Sequence, residues 1–116
     1  MNINICEKNI SNHDEKIILI ILIGIFEALS INGISIEEAE GSLFSPYMVH
    51  KLKSVKCNSK IIKITEEGCE LEDIESLIPD SLLGTIKELK ERAIKILKEY
   101  PQLNNVRWIQ MEPNAE

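Results

Sequence analysis

The fold of this chain is decided by the apolar run IILIILIGIF, residues 17–26. Its isoleucines suit a buried strand as well as a buried helix, so the length of the pattern has to separate the two. The pattern continues to Leu29 and stops before Asn32-Gly33, a common helix end, which gives about 17 residues counted from Asp14. This length predicts a buried first helix over residues 14–30, with Asp14 as its N-cap.

The same run is too short to cross a membrane. It holds ten residues, about half of the roughly 20 that a membrane-spanning helix needs. The segment before it carries Glu7, Asp14 and Glu15 and lacks the small-residue cleavage pattern of a signal peptide. We therefore expect no membrane association and no signal-peptide secretion.

Capping residues mark the helices that follow. Ser35 and Glu38 have the spacing of a capping box, and Ser45-Pro46 joins a good N-cap to a proline at the first helical position. Asn58-Ser59 can start a further helix, although the β-branched residues 61–65 leave a short strand as an alternative. The predicted helices after the first span residues 36–43, 46–55, 60–67 and 70–78.

The last helix has the clearest amphipathic pattern. Asp80 is its predicted N-cap and Pro101 its stop, and its other face alternates lysines and glutamates. Its apolar positions recur every three or four residues: Leu82, Ile86, Leu89, Ala93, Leu97 and Tyr100.

These patterns predict an all-α fold, a compact single-domain bundle of about five to six helices. At 116 residues the chain is long enough for one modest core, and its large content of Ile and Leu makes that core aliphatic. We expect an N-terminal arm over residues 1–13, a helical domain over 14–100 and a C-terminal tail over 101–116.

Charge is distributed unevenly along the chain. Seven carboxylates and no Lys or Arg lie between Ile64 and Ile86, directly after a lysine-rich stretch from Lys51 to Lys63. The net charge of −6 disfavours nonspecific binding to nucleic acid or to anionic lipid, because both depend on neutralising phosphate. A basic protein partner is the easier expectation.

The acidic segment has three interpretations: a metal site, a solvated helix face or a docking surface. The order Glu66-Glu67-Gly68-Cys69-Glu70 does not supply the alternating ligands of a calcium loop, so we expect no metal. Carboxylates at a helix start are also favoured by the helix dipole. If the segment docks a partner, its acids and the single tryptophan of the tail are the candidate contact residues: Glu66, Glu67, Glu70, Glu72, Asp73, Glu75 and Trp108.

Other functional classes have less support in the sequence. The Lys51–Lys63 stretch is the alternative, as part of a helical nucleic-acid-binding regulator, but it lacks the Arg and Gln residues that commonly read bases. His13 and His50 have no Cys or Ser at a catalytic spacing, so we expect neither an enzyme nor a cofactor. Glu27 is either a buried functional acid or a side chain pointing outward.

The three cysteines are an odd number without CxxC spacing. This pattern favours a reduced, cytoplasmic setting over a disulfide framework or a zinc site.

A combination of motifs resembles a known family. The motifs are Phe26-Glu27-Ala28-Leu29, the segment GISIEEAE at residues 33–40, Leu43-Phe44-Ser45-Pro46, Glu70-Leu71-Glu72-Asp73 and Leu77-Ile78-Pro79. Together they are similar to a family of small bacterial proteins catalogued as domain of unknown function 3969, over roughly residues 17–98. The resemblance implies a helical domain in the bacterial cytosol and brings no catalytic residues with it.

The leading hypothesis is a non-enzymatic protein-binding module, specifically an immunity protein that neutralises a cognate bacterial toxin. Its motivation is the small size, the pI near 5.0 and the concentrated carboxylates. A homodimer through the Ile-rich first helix is compatible with this hypothesis.

Overall fold

Six α-helices and one short 3₁₀ helix form an all-α, single-domain bundle in the computed structural model, which describes residues 9–102. The helices are α1 (Asn12–Ser30), α2 (Ile36–Glu40), α3 (Pro46–Ser54), α4 (Ser59–Gly68), α5 (Leu71–Leu77) and α6 (Leu82–Leu97), and the 3₁₀ helix is Pro79–Ser81. Strands are absent from this range. The predicted all-α bundle is confirmed.

Helix α1 packs antiparallel to α6, which also contacts α4 and α5. Lys16, near the start of α1, donates to the Pro101 carbonyl at 2.8 Å, whereas Glu27, near its end, pairs with Lys90 at 2.7 Å. The predicted buried first helix and amphipathic last helix therefore form the main contact of the core. Their buried apolar residues are Ile17, Ile18, Leu19, Leu22, Phe26 and Leu29 on α1, and Ile86, Leu89, Ala93 and Ile96 on α6.

The start of α1 differs from the prediction. Ser11 is the N-cap, because its backbone is extended and its hydroxyl accepts a hydrogen bond from the Asp14 N–H at 3.1 Å. The prediction of Asp14 as the cap is wrong: Asp14 lies in the first turn, where a carboxylate is favoured by the helix dipole. The predicted stop is confirmed, with Asn32 in the left-handed region at a φ of 60°.

Local capping signals are reliable elsewhere. The capping box of Ser35 and Glu38 is present, with both bonds at 3.0–3.1 Å, and the Ser45 hydroxyl accepts from the Met48 N–H at 3.2 Å. Helix α2 nevertheless ends at Glu40, three residues before the predicted end, and the chain then turns Leu43 and Phe44 into the core.

Residues 60–67 are helical, which settles the choice between helix and strand. Asn58 caps α4 by accepting from the Lys60 N–H at 2.9 Å. Ile61, Ile64 and Gly68 lie buried at helical spacing. A strand would have sent adjacent isoleucines to opposite faces.

The connection from α5 to α6 contains a second difference. The predicted helix over residues 70–78 is observed as α5 and ends before Pro79. Asp80 does not cap the last helix, since it lies inside the 3₁₀ helix, and Ser81 precedes α6 without a side-chain capping bond. The 3₁₀ helix is followed directly by α6.

Gly68 allows an aromatic pair to pack against α4. The rings of Phe26 and Phe44 stack with their centroids 5.3 Å apart, and both side chains are buried. A Cβ added to Gly68 would lie only 2.5 Å from Cε1 of Phe44. The absence of a side chain at this position is therefore a packing requirement.

Among the helices of residues 9–102, none combines the length and the apolar character that crossing a membrane requires.

Candidate partner-binding surface

Two of the predicted contact residues form salt bridges with cationic side chains of the same chain. Glu66 pairs with Lys53 of α3 at 3.2 Å, and Glu67 holds Arg92 of α6 through two hydrogen bonds of 2.9 and 2.7 Å. The bond from Arg92 lowers the pKa of the Glu67 carboxyl. These two acids join α4 to its neighbours, so their charge is already offset within the bundle.

The other predicted acids lie in a larger group that the sequence did not reveal. Helix α2 packs against α5 and places its own glutamates beside those of α5. We call the combined group the acidic face, and it consists of Glu37, Glu38, Glu40, Glu70, Glu72, Asp73 and Glu75. Within residues 9–102, no Lys or Arg lies within 4.0 Å of these seven carboxylates.

Partial burial and nearby like charges act together on Glu40 in the acidic face. Partial burial, followed by the nearby charges of Glu72, Glu37 and Asp73, raises the pKa of the Glu40 carboxyl. Like charges at this spacing disfavour one another's ionised form. Carboxylates of α2 and α5 therefore lie close enough to act on the ionisation of Glu40.

An open groove of about 450 Å³ adjoins this face at one end of the bundle. Its walls come from the end of α1, the α1–α2 connection, α2, α5 and the start of α6. The apolar part of its lining is Leu29, Ile34, Ile36, Leu82 and Ile86. Glu37, Glu38 and Glu75 contribute carboxylates to the same groove, so its apolar surface has an acidic rim.

Four large apolar side chains that are close in sequence to groove residues are exposed to solvent. The exposed fractions are 67% for Ile31, 77% for Leu77, 56% for Ile78 and 49% for Leu83. Ile31 precedes the groove residue Asn32, Leu83 follows the groove residue Leu82, and Leu77 and Ile78 lie between Glu75 and Leu82. Exposed apolar side chains concentrated at one end of a small bundle are typical of an interaction surface.

The lysines of the Lys51–Lys63 stretch do not share one surface role. Lys51 lies over the ring of Tyr47 at 4.8 Å, and Lys53 is paired with Glu66. Lys60 and Lys63 instead line a second groove of about 210 Å³ together with Arg92 and Lys95 of α6. We call it the basic groove.

A buried polar network is the main feature that the sequence interpretation missed. Glu15 is only 7% exposed, and it accepts hydrogen bonds from the Asn58 N–H at 2.6 Å and from the Tyr100 hydroxyl at 2.9 Å. The Asn58 side chain in turn donates to the Tyr100 hydroxyl at 3.1 Å. The signal was the position of Glu15, on the same helix face as Leu19 and Leu22.

This network has the properties of a structural element. Burial, reinforced by the neighbouring Glu15 carboxylate, raises the pKa of the Cys57 thiol to about 12, so the thiol is protonated at neutral pH. Burial also raises the pKa of Tyr100 to about 12. Tyr100 therefore keeps the hydroxyl proton that it donates to Glu15 near pH 7.

The remaining sequence candidates fall outside the acidic face. Glu27 points outward and pairs with Lys90, which decides between its two interpretations. His50 is exposed, and His13 lies in the first turn of α1 beside Asp14. No group of three potential metal ligands occurs in the part of the chain that the structure covers. Trp108 lies outside the described residues.

Comparison with known proteins gives one family match. Residues 9–110 match the model of a family described as "Protein of unknown function (DUF3969)". The comparisons with curated proteins and with solved structures gave no match.

Proposed function

The chain belongs to the DUF3969 family of proteins of unknown function, and we propose that it is a binding module without enzymatic activity that holds a basic protein partner on its acidic face. The observation that carries the proposal is the group of seven carboxylates on α2, on α5 and at Glu70 directly before α5, without a cationic neighbour in residues 9–102. A partner that supplies Lys and Arg side chains would relieve their mutual repulsion.

Electrostatic complementarity of this kind acts mainly on association and on partner choice. A concentrated negative surface accelerates encounter with a positive one and disfavours wrong partners. Part of the acidity also serves local structure, since Glu38 completes the capping box of α2. Glu37 in the first turn of α2, and Glu72 and Asp73 in the first turn of α5, are also favoured there by the helix dipole.

The partner that fits best is a bacterial toxin with a basic, nuclease-type surface, which makes this chain a cytoplasmic immunity protein. Toxins that act on nucleic acid need a positive surface, and a small acidic protein can cover it. The pI near 5.0 and the 13.2 kDa size support this assignment.

The proposal is tested by co-expression with the genetically neighbouring open reading frame. We expect restored growth of the host and a complex that copurifies at low salt and weakens as salt is added. Glu72→Lys/Asp73→Lys changes the acidic face, and Glu88→Lys/Glu91→Lys makes the same change of net charge on the exposed side of α6. Only the first variant should lose rescue and copurification; equal behaviour of the two would overturn the assignment to the acidic face.

The basic groove supports a second candidate function, binding of nucleic acid. Lys60 and Arg92 are partly neutralised by Glu99 and Glu67, whereas Lys63 and Lys95 have no carboxylate within 4.0 Å in the described chain. This candidate predicts duplex binding at low salt that Lys63→Glu/Lys95→Glu abolishes. Absence of any mobility shift at low salt would remove it.

A further inference from the structure

We infer that the groove between the α1–α2 connection and the start of α6 binds an amphipathic segment of a protein partner, with apolar side chains inserted and Lys or Arg side chains on the acidic rim. The inference rests on the proposed function and deepens it, because it states which part of a basic partner is recognised. The acidic face alone would bind positive charge of any arrangement.

Exposed apolar side chains that adjoin the groove residues in the chain indicate a segment longer than the cavity itself. Ile34, Ile36 and Leu82 line the groove, while Leu83, the next residue after Leu82, and Leu77, two residues after Glu75, are exposed. A small molecule confined to the cavity would leave these outer side chains in water. A polypeptide that continues beyond the groove covers both sets, as in interfaces with an apolar centre and a polar rim.

Charge complementarity determines the chemistry of the occupant. The three carboxylates that reach the groove, Glu37, Glu38 and Glu75, belong to the acidic face and have no Lys or Arg within 4.0 Å in residues 9–102. Cationic side chains that flank the apolar residues of the segment would pair with them. An acidic or neutral apolar segment would have to desolvate these carboxylates without replacing their hydration.

The same charges argue against a second copy of this chain in the groove. A two-fold symmetric contact places the same patch on both sides of the interface. Such a contact would bring the acidic rim of one copy against that of the other, and opposed like charges are destabilising. The groove is therefore better suited to a partner of opposite charge.

The test uses three synthetic peptides of about 14 residues with helical periodicity and the full-length protein. The first peptide combines Leu on one face with Lys on the other. The second replaces every Lys by Glu, and the third replaces every Leu by Ser. Fluorescence anisotropy should show saturable binding of the Leu–Lys peptide, with binding at least about ten-fold weaker for each of the other two.

A variant pair locates the binding. Leu77→Ser/Leu83→Ser removes two exposed side chains that adjoin groove residues in the chain, and Tyr47→Ser removes an exposed aromatic side chain on α3. The first should weaken binding of the Leu–Lys peptide by about ten-fold or more and the second should leave it unchanged. Since all three residues are exposed, circular dichroism should show unaltered helix content for both variants.

Several outcomes would overturn the inference. They are equal binding of the Ser–Lys and Leu–Lys peptides, unchanged binding by Leu77→Ser/Leu83→Ser, and a dimer of this chain that the same variant dissociates while no peptide binds. The proposed function is tested separately from the groove. If Glu72→Lys/Asp73→Lys abolishes partner copurification in any of these cases, the acidic face binds a partner and only binding in the groove is excluded.

Discussion

Gly68→Ala is expected to destabilise the protein, although alanine is the better helix former. The added Cβ would lie 2.5, 2.6 and 2.8 Å from three ring atoms of Phe44, so the ring would have to retreat by about 0.9 Å to reach the 3.4 Å of ordinary contact. Phe44 is only 2% exposed and stacks on the fully buried Phe26. A shift of one ring therefore has to move the other.

The magnitude follows from two opposing effects. Overpacking of a filled core costs about 1–3 kcal/mol. Replacing glycine in a helix interior contributes up to about 1 kcal/mol of stabilisation, and less at the last residue of α4. The free energy of unfolding should fall by about 1–2 kcal/mol, which lowers the melting temperature by about 4–8 °C for a domain of this size.

Urea unfolding measures this change in the free energy of unfolding, and two further variants test whether the clash with Phe44 is its cause. Gly24→Ala lies in the exposed interior of α1, where an added Cβ meets nothing within 4 Å, and should stabilise the protein by about 0.5–1 kcal/mol. Phe44→Leu removes the ring atoms involved, so Gly68→Ala should cost much less in that background. The reasoning is refuted if Gly68→Ala stabilises the protein as Gly24→Ala does, or if its cost is the same with and without the Phe44 ring.

Three further predictions concern groups described above. Tyr100→Phe leaves the buried Glu15 carboxylate and the Asn58 side chain each without one partner, and should lower the free energy of unfolding by about 1–2 kcal/mol in a denaturant titration; an unchanged midpoint would contradict the structural role of the network. Glu40→Gln should raise the melting temperature at pH 7, because the pKa of Glu40 is raised and its ionised form is disfavoured in the folded state. That gain should fade as the pH falls through the raised pKa to below 4.5, and should shrink in high salt; a gain that persists at low pH would show that charge is not its cause. Cys57 should resist a thiol-reactive reagent until the protein is unfolded, since it is buried with a pKa of about 12; mass spectrometry of labelled peptides measures this, and labelling in the folded state would contradict it.

Helix starts that depend only on neighbouring residues are predictable from the sequence. The capping box at Ser35 and the Ser45-Pro46 start each depend on bonds within one helical turn, so tertiary contacts did not alter them. The start of α1 was harder because Ser11 and Asp14 are both good caps, three residues apart. Ile10 bonds to the Val55 carbonyl at 2.8 Å, a long-range contact immediately before Ser11 that no local pattern reveals.

Only part of the candidate surface is predictable from the sequence, because the rest depends on contacts between residues far apart in the chain. The carboxylates of α5 stand out in the sequence, but the glutamates of α2 join them only because the two helices pack together. Conversely, Glu67 looked like a contact residue until its pairing with Arg92, 25 residues later, became visible. Charge density along a chain does not distinguish acids that are already neutralised from acids that remain available.

The antiparallel packing of α1 and α6 has a practical consequence for experiments. Ser11 and Pro101 lie at the same end of the bundle, where Lys16 of α1 donates to the Pro101 carbonyl, whereas the groove opens where α1 ends and α6 begins. A fluorophore or surface tether attached at Ser11 or Pro101 itself, both exposed, is therefore anchored at the end of the bundle away from the groove. Immobilised protein should present the acidic rim toward the solution, which makes surface-based binding measurements suitable for this chain.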